Sequence, residues 1–71
     1  MKFEIKEQGT EPNRIEDHSI DTVKLDLQNR FALDDSVAIY QELRMVDGRI
    51  ALSLRDRSNK VIIQYKTIEP L

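Results

Sequence analysis

The chain of 71 residues has no cysteine and no tryptophan, and it has only two glycines, two prolines and one histidine. Without cysteine there is neither a disulfide framework nor a cysteine-based metal site. The two glycines, Gly9 and Gly48, stand too far apart to form a glycine-rich phosphate-binding loop. No apolar run approaches the roughly 20 residues that a membrane-spanning helix needs, so the sequence predicts no membrane partner.

The sequence contains few residues that could form a catalytic site. The only histidine, His18, follows Asp17 in a predicted loop, and no nucleophile, base and orienting group can be assembled around it. The stretch EDHSID offers oxygen ligands for a hard cation, but its spacing does not match a calcium-binding loop. The sequence therefore predicts a protein that is not an enzyme and binds no cofactor or metal.

The composition is that of a small globular protein. Hydrophobic residues make up 39% of the chain and charged residues 34%, which predicts one small domain over residues 1–71. The N-terminal stretch MKFEIKEQGTEP alternates charged and apolar residues and is unlike a signal peptide, so a cytoplasmic location is predicted. A domain of this size without disulfides is marginal unless it packs well or oligomerises.

The stretch LRMVDGRIALSL, residues 43–54, carries the clearest local signal. Asp47-Gly48 lies between two runs of alternating apolar residues, which predicts a hairpin with a two-residue type I′ turn. Pairing around that turn places Leu43 opposite Leu52 and Gln41 opposite Leu54. A second turn at Ser58-Asn59 places Leu54 opposite Ile63 and Leu52 opposite Tyr65, so the apolar residues of three strands share one face.

Residues 22–33 also alternate, with apolar residues at the odd positions 23, 25 and 27. The resulting prediction is a mainly β fold. It comprises a four-stranded antiparallel meander, with strands at about 22–33, 37–46, 49–57 and 60–67, and a short N-terminal strand at 2–7. Residues 8–20, which contain Gly9, Pro12 and Asn13, are predicted to form a loop.

Two helical alternatives compete with this meander. Ile20, Val23, Leu27 and Phe31 have helical spacing behind Ser19 as a possible N-cap, although Leu25 would then point to the opposite side. Residues 35–46 form the second candidate, since Asp35 or Ser36 could cap a helix that ends before Gly48. The second alternative gives an α+β fold of the order ββαββ.

The apolar face of the predicted meander is larger than a monomer normally exposes, and residues 1–21 offer little to cover it. Because no helix remains to close the core, the sequence predicts a homodimer that packs face to face. The residues predicted for this dimer face are Leu25, Leu27, Leu43, Met45, Leu52, Leu54, Ile63 and Tyr65.

The opposite face of the predicted sheet collects most of the cations of a chain whose net charge is −2. A solvated face is the simpler interpretation, and a surface for single-stranded nucleic acid or an acidic protein is the functional one. The predicted binding residues are Arg30, Tyr40, Arg44, Arg49, Arg55, Arg57, Lys60 and Lys66. The predicted function is therefore a small non-catalytic binding or assembly module that dimerises through its apolar face, with a nucleic-acid-binding protein as the alternative.

The stretch LSLRDRSNKVIIQY, residues 52–65, has a strand ending in Asp56, a short polar turn and then Val61-Ile62. It resembles the C-terminal hairpin of the flagellar protein FlaG family. The resemblance implies a strand–turn–strand unit and a flagellar accessory role. The chain departs from the family pattern at Tyr65-Lys66, where the family continues with Ile-Pro and a helix.

Overall fold

The computed structural model describes residues 1–42 and 44–70. Its elements in chain order are β1 (Lys2–Glu7), β2 (Thr10–Asp17), α1 (Ile20–Leu33), β3 (Val37–Glu42), β4 (Ala51–Asp56) and β5 (Val61–Thr67). The strands form one open sheet in the order β2-β1-β5-β4-β3, and every neighbouring pair is antiparallel. The prediction of a mainly β fold is confirmed. The strands predicted at 2–7, 37–46, 49–57 and 60–67 contain β1, β3, β4 and β5, whereas the strand predicted at 22–33 is absent and β2 takes its place in the sheet.

The strand predicted at 22–33 is wrong, because this segment forms α1. The Ser19 side chain accepts a hydrogen bond from the Thr22 backbone N–H at 3.1 Å and so caps the helix. Val23 and Leu27, four residues apart, are buried, whereas Leu25 is 58% exposed. The helical spacing therefore prevails over the alternation, because it lets α1 cover the apolar face of the sheet. Three large apolar side chains of α1 stay exposed: Leu25, Phe31 and Leu33.

The loop predicted at 8–20 is also wrong over most of its length, because residues 10–17 form β2. Gly9, at φ +80°, lies in the turn between β1 and β2. Pro12 lies within β2 at an edge of the sheet, where a strand has a ladder partner on one side and can dispense with an N–H. The turn-forming residues that suggested a loop are thus compatible with an edge strand.

The alternative helix at 35–46 is wrong, since residues 37–42 form β3 at the other edge of the sheet. β-Branched and aromatic residues favour a strand there. Gln41 pairs with Leu52 and Ile39 with Leu54, so the predicted register of this hairpin is wrong by two residues. A shift of two keeps every side chain on its predicted face. The predicted partner of Leu52, Leu43, lies outside the described residues.

The turn between β3 and β4 is longer than the predicted type I′ turn. The Met45 C=O accepts the Gly48 N–H at 2.9 Å, and the Met45 N–H donates to the Arg49 C=O at 2.6 Å. Gly48 has φ +85°. This is the three-residue hairpin loop in which the residue after a turn adopts the left-handed conformation and forms a bulge.

The turn between β4 and β5 repeats the same design, with Asn59 in the position of the glycine. The Asn59 N–H donates to the Asp56 C=O at 2.9 Å, and Asn59 has φ 65°. The Asp56 carboxylate accepts the backbone N–H groups of Ser58 and Lys60, so it closes the turn. The predicted pairing of Leu52 with Tyr65 and of Leu54 with Ile63 across these strands is confirmed.

We expect Gly48→Ala to destabilise the protein by more than Gly9→Ala. Both glycines have positive φ, which costs an L-residue about 1 kcal/mol. A Cβ at Gly48 would also lie 3.0 Å from the Pro70 Cβ, whereas a Cβ at Gly9 would meet nothing within 4 Å. Urea unfolding of the two variants measures the difference. Equal losses would show that the Pro70 contact is relieved at no cost.

The hydrophobic core lies between α1 and one face of the sheet. Its buried members come from α1 and from four strands: Phe3, Ile5, Val23, Leu27, Val37, Leu52, Leu54, Ile63 and Tyr65. Helix α1 thus supplies the cover that the sequence interpretation sought in a second copy. Among the described residues, no helix is long and apolar enough to cross a membrane.

Candidate binding surface on the open face of the sheet

The face of the sheet opposite α1 is here called the open face, because no described element covers it. The strand registers align its side chains in rows across the sheet. One row consists of Tyr40, Ser53, Gln64 and Lys6. The next row consists of Glu42, Ala51, Lys66 and Glu4.

The middle of the open face is a shallow depression. Ala51 and Ser53 form its floor and are each only 4% exposed, because these short side chains lie between longer neighbours on β3 and β5. Tyr40 stands on the rim and is 47% exposed. The depression has a volume of about 240 Å³ and is lined by Tyr40, Gln41, Glu42, Ala51, Ser53, Arg55, Asn59 and Gln64.

Arg55 is held beside this depression by neutral groups. Its Nε donates to the Ser53 Oγ at 3.2 Å, and its Nη1 donates to the Asn59 Oδ1 at 3.3 Å. Its guanidinium carbon lies 5.4 Å from the centroid of the Tyr40 ring, which is a cation–π distance. The guanidinium is therefore oriented by hydrogen bonds and by an aromatic ring.

Three other arginines differ from Arg55 in their partners. Arg14, Arg30 and Arg49 each form an ion pair with a carboxylate. Within residues 1–42 and 44–70, the structure records no such pair for Arg55. Its positive charge is thus oriented and not neutralised, which is the arrangement that a carboxylate or phosphate ligand requires.

The structure divides the predicted basic face. Tyr40, Arg55 and Lys66 do share the open face. Arg30 lies on α1, on the other side of the sheet, because 22–33 is a helix. Glu4 and Glu42 share the open face, so its charge is mixed. The remaining predicted residues lie in the two connections, Arg44 and Arg49 before β4 and Arg57 and Lys60 after it.

The predicted dimer face is also divided, because most of it forms the core of a single chain. Five of its residues are buried between α1 and the sheet, namely Leu27, Leu52, Leu54, Ile63 and Tyr65. Leu25 is exposed on the outer side of α1, and Met45 is half-buried in the β3–β4 connection. Leu43 lies outside the described residues. The seven described side chains of this set therefore offer no common surface to a second copy.

A network of ionisable side chains fastens α1 to the sheet, and the sequence interpretation missed it. The Tyr65 hydroxyl donates to the Asp26 carboxylate at 2.7 Å. Arg30 pairs with the same Asp26 oxygen at 3.2 Å and reaches Glu7 on β1 at 3.5 Å. Helix α1 is thus tied to β5 and β1 by groups that stand far apart in the sequence.

The network continues from Glu7 to β2. Arg14 donates to Glu7 and to Glu16, at 3.0 Å in each case, and His18 Nε2 lies 2.8 Å from Glu16. The His18 ring meets the Tyr65 ring edge to face at 6.1 Å, so the network closes on itself. In the part of the chain that the structure describes, no three acidic or histidine side chains are grouped to hold a metal ion.

The ionisation of this network matches a structural role. The hydrogen bond to His18, with a further one from Arg14, holds the pKa of Glu16 below its usual value. Burial and the hydrogen bond to Asp26 raise the pKa of Tyr65 well above its usual value, so Tyr65 remains a protonated donor. The hydrogen bond to Glu7 raises the pKa of Arg14.

Comparisons of the chain with protein-family models, with curated proteins and with solved structures found no match in any of the three. The segment that resembles the FlaG hairpin does form β4, a turn and β5. A strand–turn–strand unit is common to many folds, so the flagellar role stays a prediction.

Proposed function

We propose that the protein is a non-catalytic binding module that holds an acidic segment of a partner protein on the open face, with Arg55 as the anchor. The observation that supports this function is the environment of Arg55. Its guanidinium is oriented by Ser53, Asn59 and the Tyr40 ring, and its charge is left for a ligand.

A carboxylate is the ligand group that suits this site best. A guanidinium presents its N–H groups in a fixed plane that matches the two oxygens of a carboxylate. Ser53 and Gln64 beside it can exchange hydrogen bonds with a peptide backbone. Glu4 and Glu42 on the same face favour a ligand whose negative charge is local to Arg55.

Single-stranded nucleic acid is the second candidate, and exposed Tyr40 favours it. A base could stack on this ring beside Arg55, as in sheet proteins that bind single strands. Such proteins combine aromatic platforms with a continuous cationic groove. Here Lys66 has Glu4 as its cross-strand neighbour, so the cationic track is interrupted. An acidic protein segment therefore fits the open face better.

Arg55→Gln should weaken the binding of an acidic peptide by about tenfold or more, because a hydrogen bond to a charged group contributes about 1.5–3 kcal/mol. The measurement is a nuclear magnetic resonance titration of isotope-labelled protein with a glutamate-rich synthetic peptide. For the wild-type protein, we expect the peptide to cause the largest chemical-shift changes at Tyr40, Ser53 and Gln64. Arg57→Gln is the matched control, since Arg57 is an exposed arginine two residues along, in the turn.

Equal weakening by Arg55→Gln and Arg57→Gln would contradict an anchored site and indicate diffuse charge attraction. An oligothymidine probe separates the two candidate ligands. If a base stacks on the Tyr40 ring, Tyr40→Ala should weaken the binding of oligothymidine to the protein by about 1–3 kcal/mol. Tight oligothymidine binding that Tyr40→Ala abolishes would favour the nucleic-acid alternative. The predicted cytoplasmic location stays a prediction.

A further inference from the structure

Within the described residues, β3 pairs with a strand on one side only, so backbone hydrogen-bonding groups on its outer side have no strand partner. Hydrogen bonds from Asp56 N–H to Lys60 C=O and from Thr67 N–H to Ile50 C=O direct the even-numbered residues of β4 towards β5. The odd-numbered residues of β4 therefore bond to Ala38, Tyr40 and Glu42 of β3. The N–H and C=O groups of Val37, Ile39 and Gln41 consequently point away from the sheet.

The two edges of the sheet differ in their protection. Natural proteins block edge strands with proline, charge or bulges. The edge strand β2, TEPNRIED, contains Pro12 and four charged residues, and its pairing with β1 is irregular. The edge strand β3, VAIYQE, has no proline, and its pairing with β4 is regular along its length. Its only charge is Glu42 at the end.

We infer that β3 pairs with β3 of a second copy of this chain, antiparallel about a two-fold axis at Ile39, so that the two sheets join into one. A two-fold axis perpendicular to the sheet keeps both α1 helices on the same side. In this register the large Tyr40 of one copy faces the small Ala38 of the other, on the open face. The outward N–H and C=O groups of the two strands then satisfy one another.

The side chains around β3 fit a second copy. On the α1 side, Ile39 is 37% exposed, and the two-fold axis places the two copies of this apolar side chain against each other. An unrelated extended peptide would not have the matches of Tyr40 with Ala38 and of Ile39 with its own copy built in.

Sedimentation of the wild-type chain from low micromolar concentration to about 1 mM should show a mass rising from monomer to dimer. Gln41→Pro should raise the protein concentration at which half of the chains are dimeric by at least tenfold. Proline removes an outward N–H and leaves the hydrogen bonds to β4 intact. Gln41→Ala, which keeps the N–H, is the matched control and should dimerise as the wild type does. Circular dichroism establishes that each variant is folded.

Cysteine cross-linking supplies an independent readout, because the chain has no cysteine of its own. Ile39→Cys should form a disulfide-linked dimer on mild oxidation, since the two-fold axis brings these positions within disulfide reach. Ile15→Cys, at an exposed position of the β2 edge, should cross-link much more slowly. If Gln41→Pro fails to fold, this pair of variants decides the question.

Three results would overturn the inference. The first is a wild-type mass that stays monomeric throughout the concentration range. This result overturns the inference even if the β3 edge binds an unrelated extended peptide. The second is a dimer that persists unchanged in folded Gln41→Pro. The third is cross-linking of Ile39→Cys no faster than that of Ile15→Cys.

Discussion

Replacing Leu27 with alanine is expected to unfold much of the protein at room temperature. Leu27 is fully buried between α1 and the sheet, and truncating such a leucine costs about 2–5 kcal/mol. A domain of this size has a total stability of only about 5 kcal/mol, so the loss approaches all of it. Urea or thermal unfolding followed by circular dichroism measures the effect.

Leu25→Ala is the matched control for this experiment. Leu25 lies two residues away on the same helix and is 58% exposed, so its truncation should change the stability by about 0.5 kcal/mol or less. The pair also tests the structure of this segment. In a strand, Leu25 and Leu27 would share one face and be buried together, so comparable losses would contradict the helix.

Asp26→Ala should have the second-largest effect, because it removes the acceptor of a mostly buried hydroxyl. Tyr65 is 5% exposed and donates to Asp26 at 2.7 Å. A buried donor without a partner costs about 1–3 kcal/mol. Tyr65→Phe removes the donor hydroxyl itself, so no buried donor is left without a partner, and the loss of stability should be smaller, about 1 kcal/mol. The double variant should therefore be little worse than Asp26→Ala alone.

A double-mutant cycle quantifies this coupling. We expect an interaction energy between Asp26 and Tyr65 of about 1–2 kcal/mol. Additive losses would show that the hydroxyl finds another partner. Alkaline titration of tyrosine absorbance gives a second readout. Burial and Asp26 both raise the pKa of Tyr65, so Asp26→Ala should move its ionisation back towards the usual range without fully restoring it.

The segments that local pattern predicted correctly are those with one dominant periodicity. Residues 51–56 and 61–67 alternate between the core and the open face, and the register of their pairing follows from which residues are apolar. Residues 22–33 satisfy two periodicities at once. Val23 and Leu27 fit both a strand and a helix, and only the capping Ser19 and the exposure of Leu25 distinguish them.

The open-face site was predicted in part for the same reason. Tyr40, Arg55 and Lys66 lie on strands whose faces alternation assigns correctly. The orientation of Arg55 by Asn59 depends on the bulged turn, which the sequence interpretation placed at the right residues with a different geometry. The two links that tie α1 to the sheet, from Arg30 to Glu7 and from Tyr65 to Asp26, have no local signature, since they join residues 23 and 39 positions apart in the sequence.

The position of β5 between β1 and β4 has a consequence for the folding rate. β5 is the last of the described strands in sequence order, yet it joins the β1–β2 hairpin to the β3–β4 hairpin. Its pairing with β1 brings Phe3 next to Thr67, near opposite ends of the sequence, and such distant contacts slow folding. During synthesis, β1 and β4 each keep one edge unpaired until β5 has emerged from the ribosome.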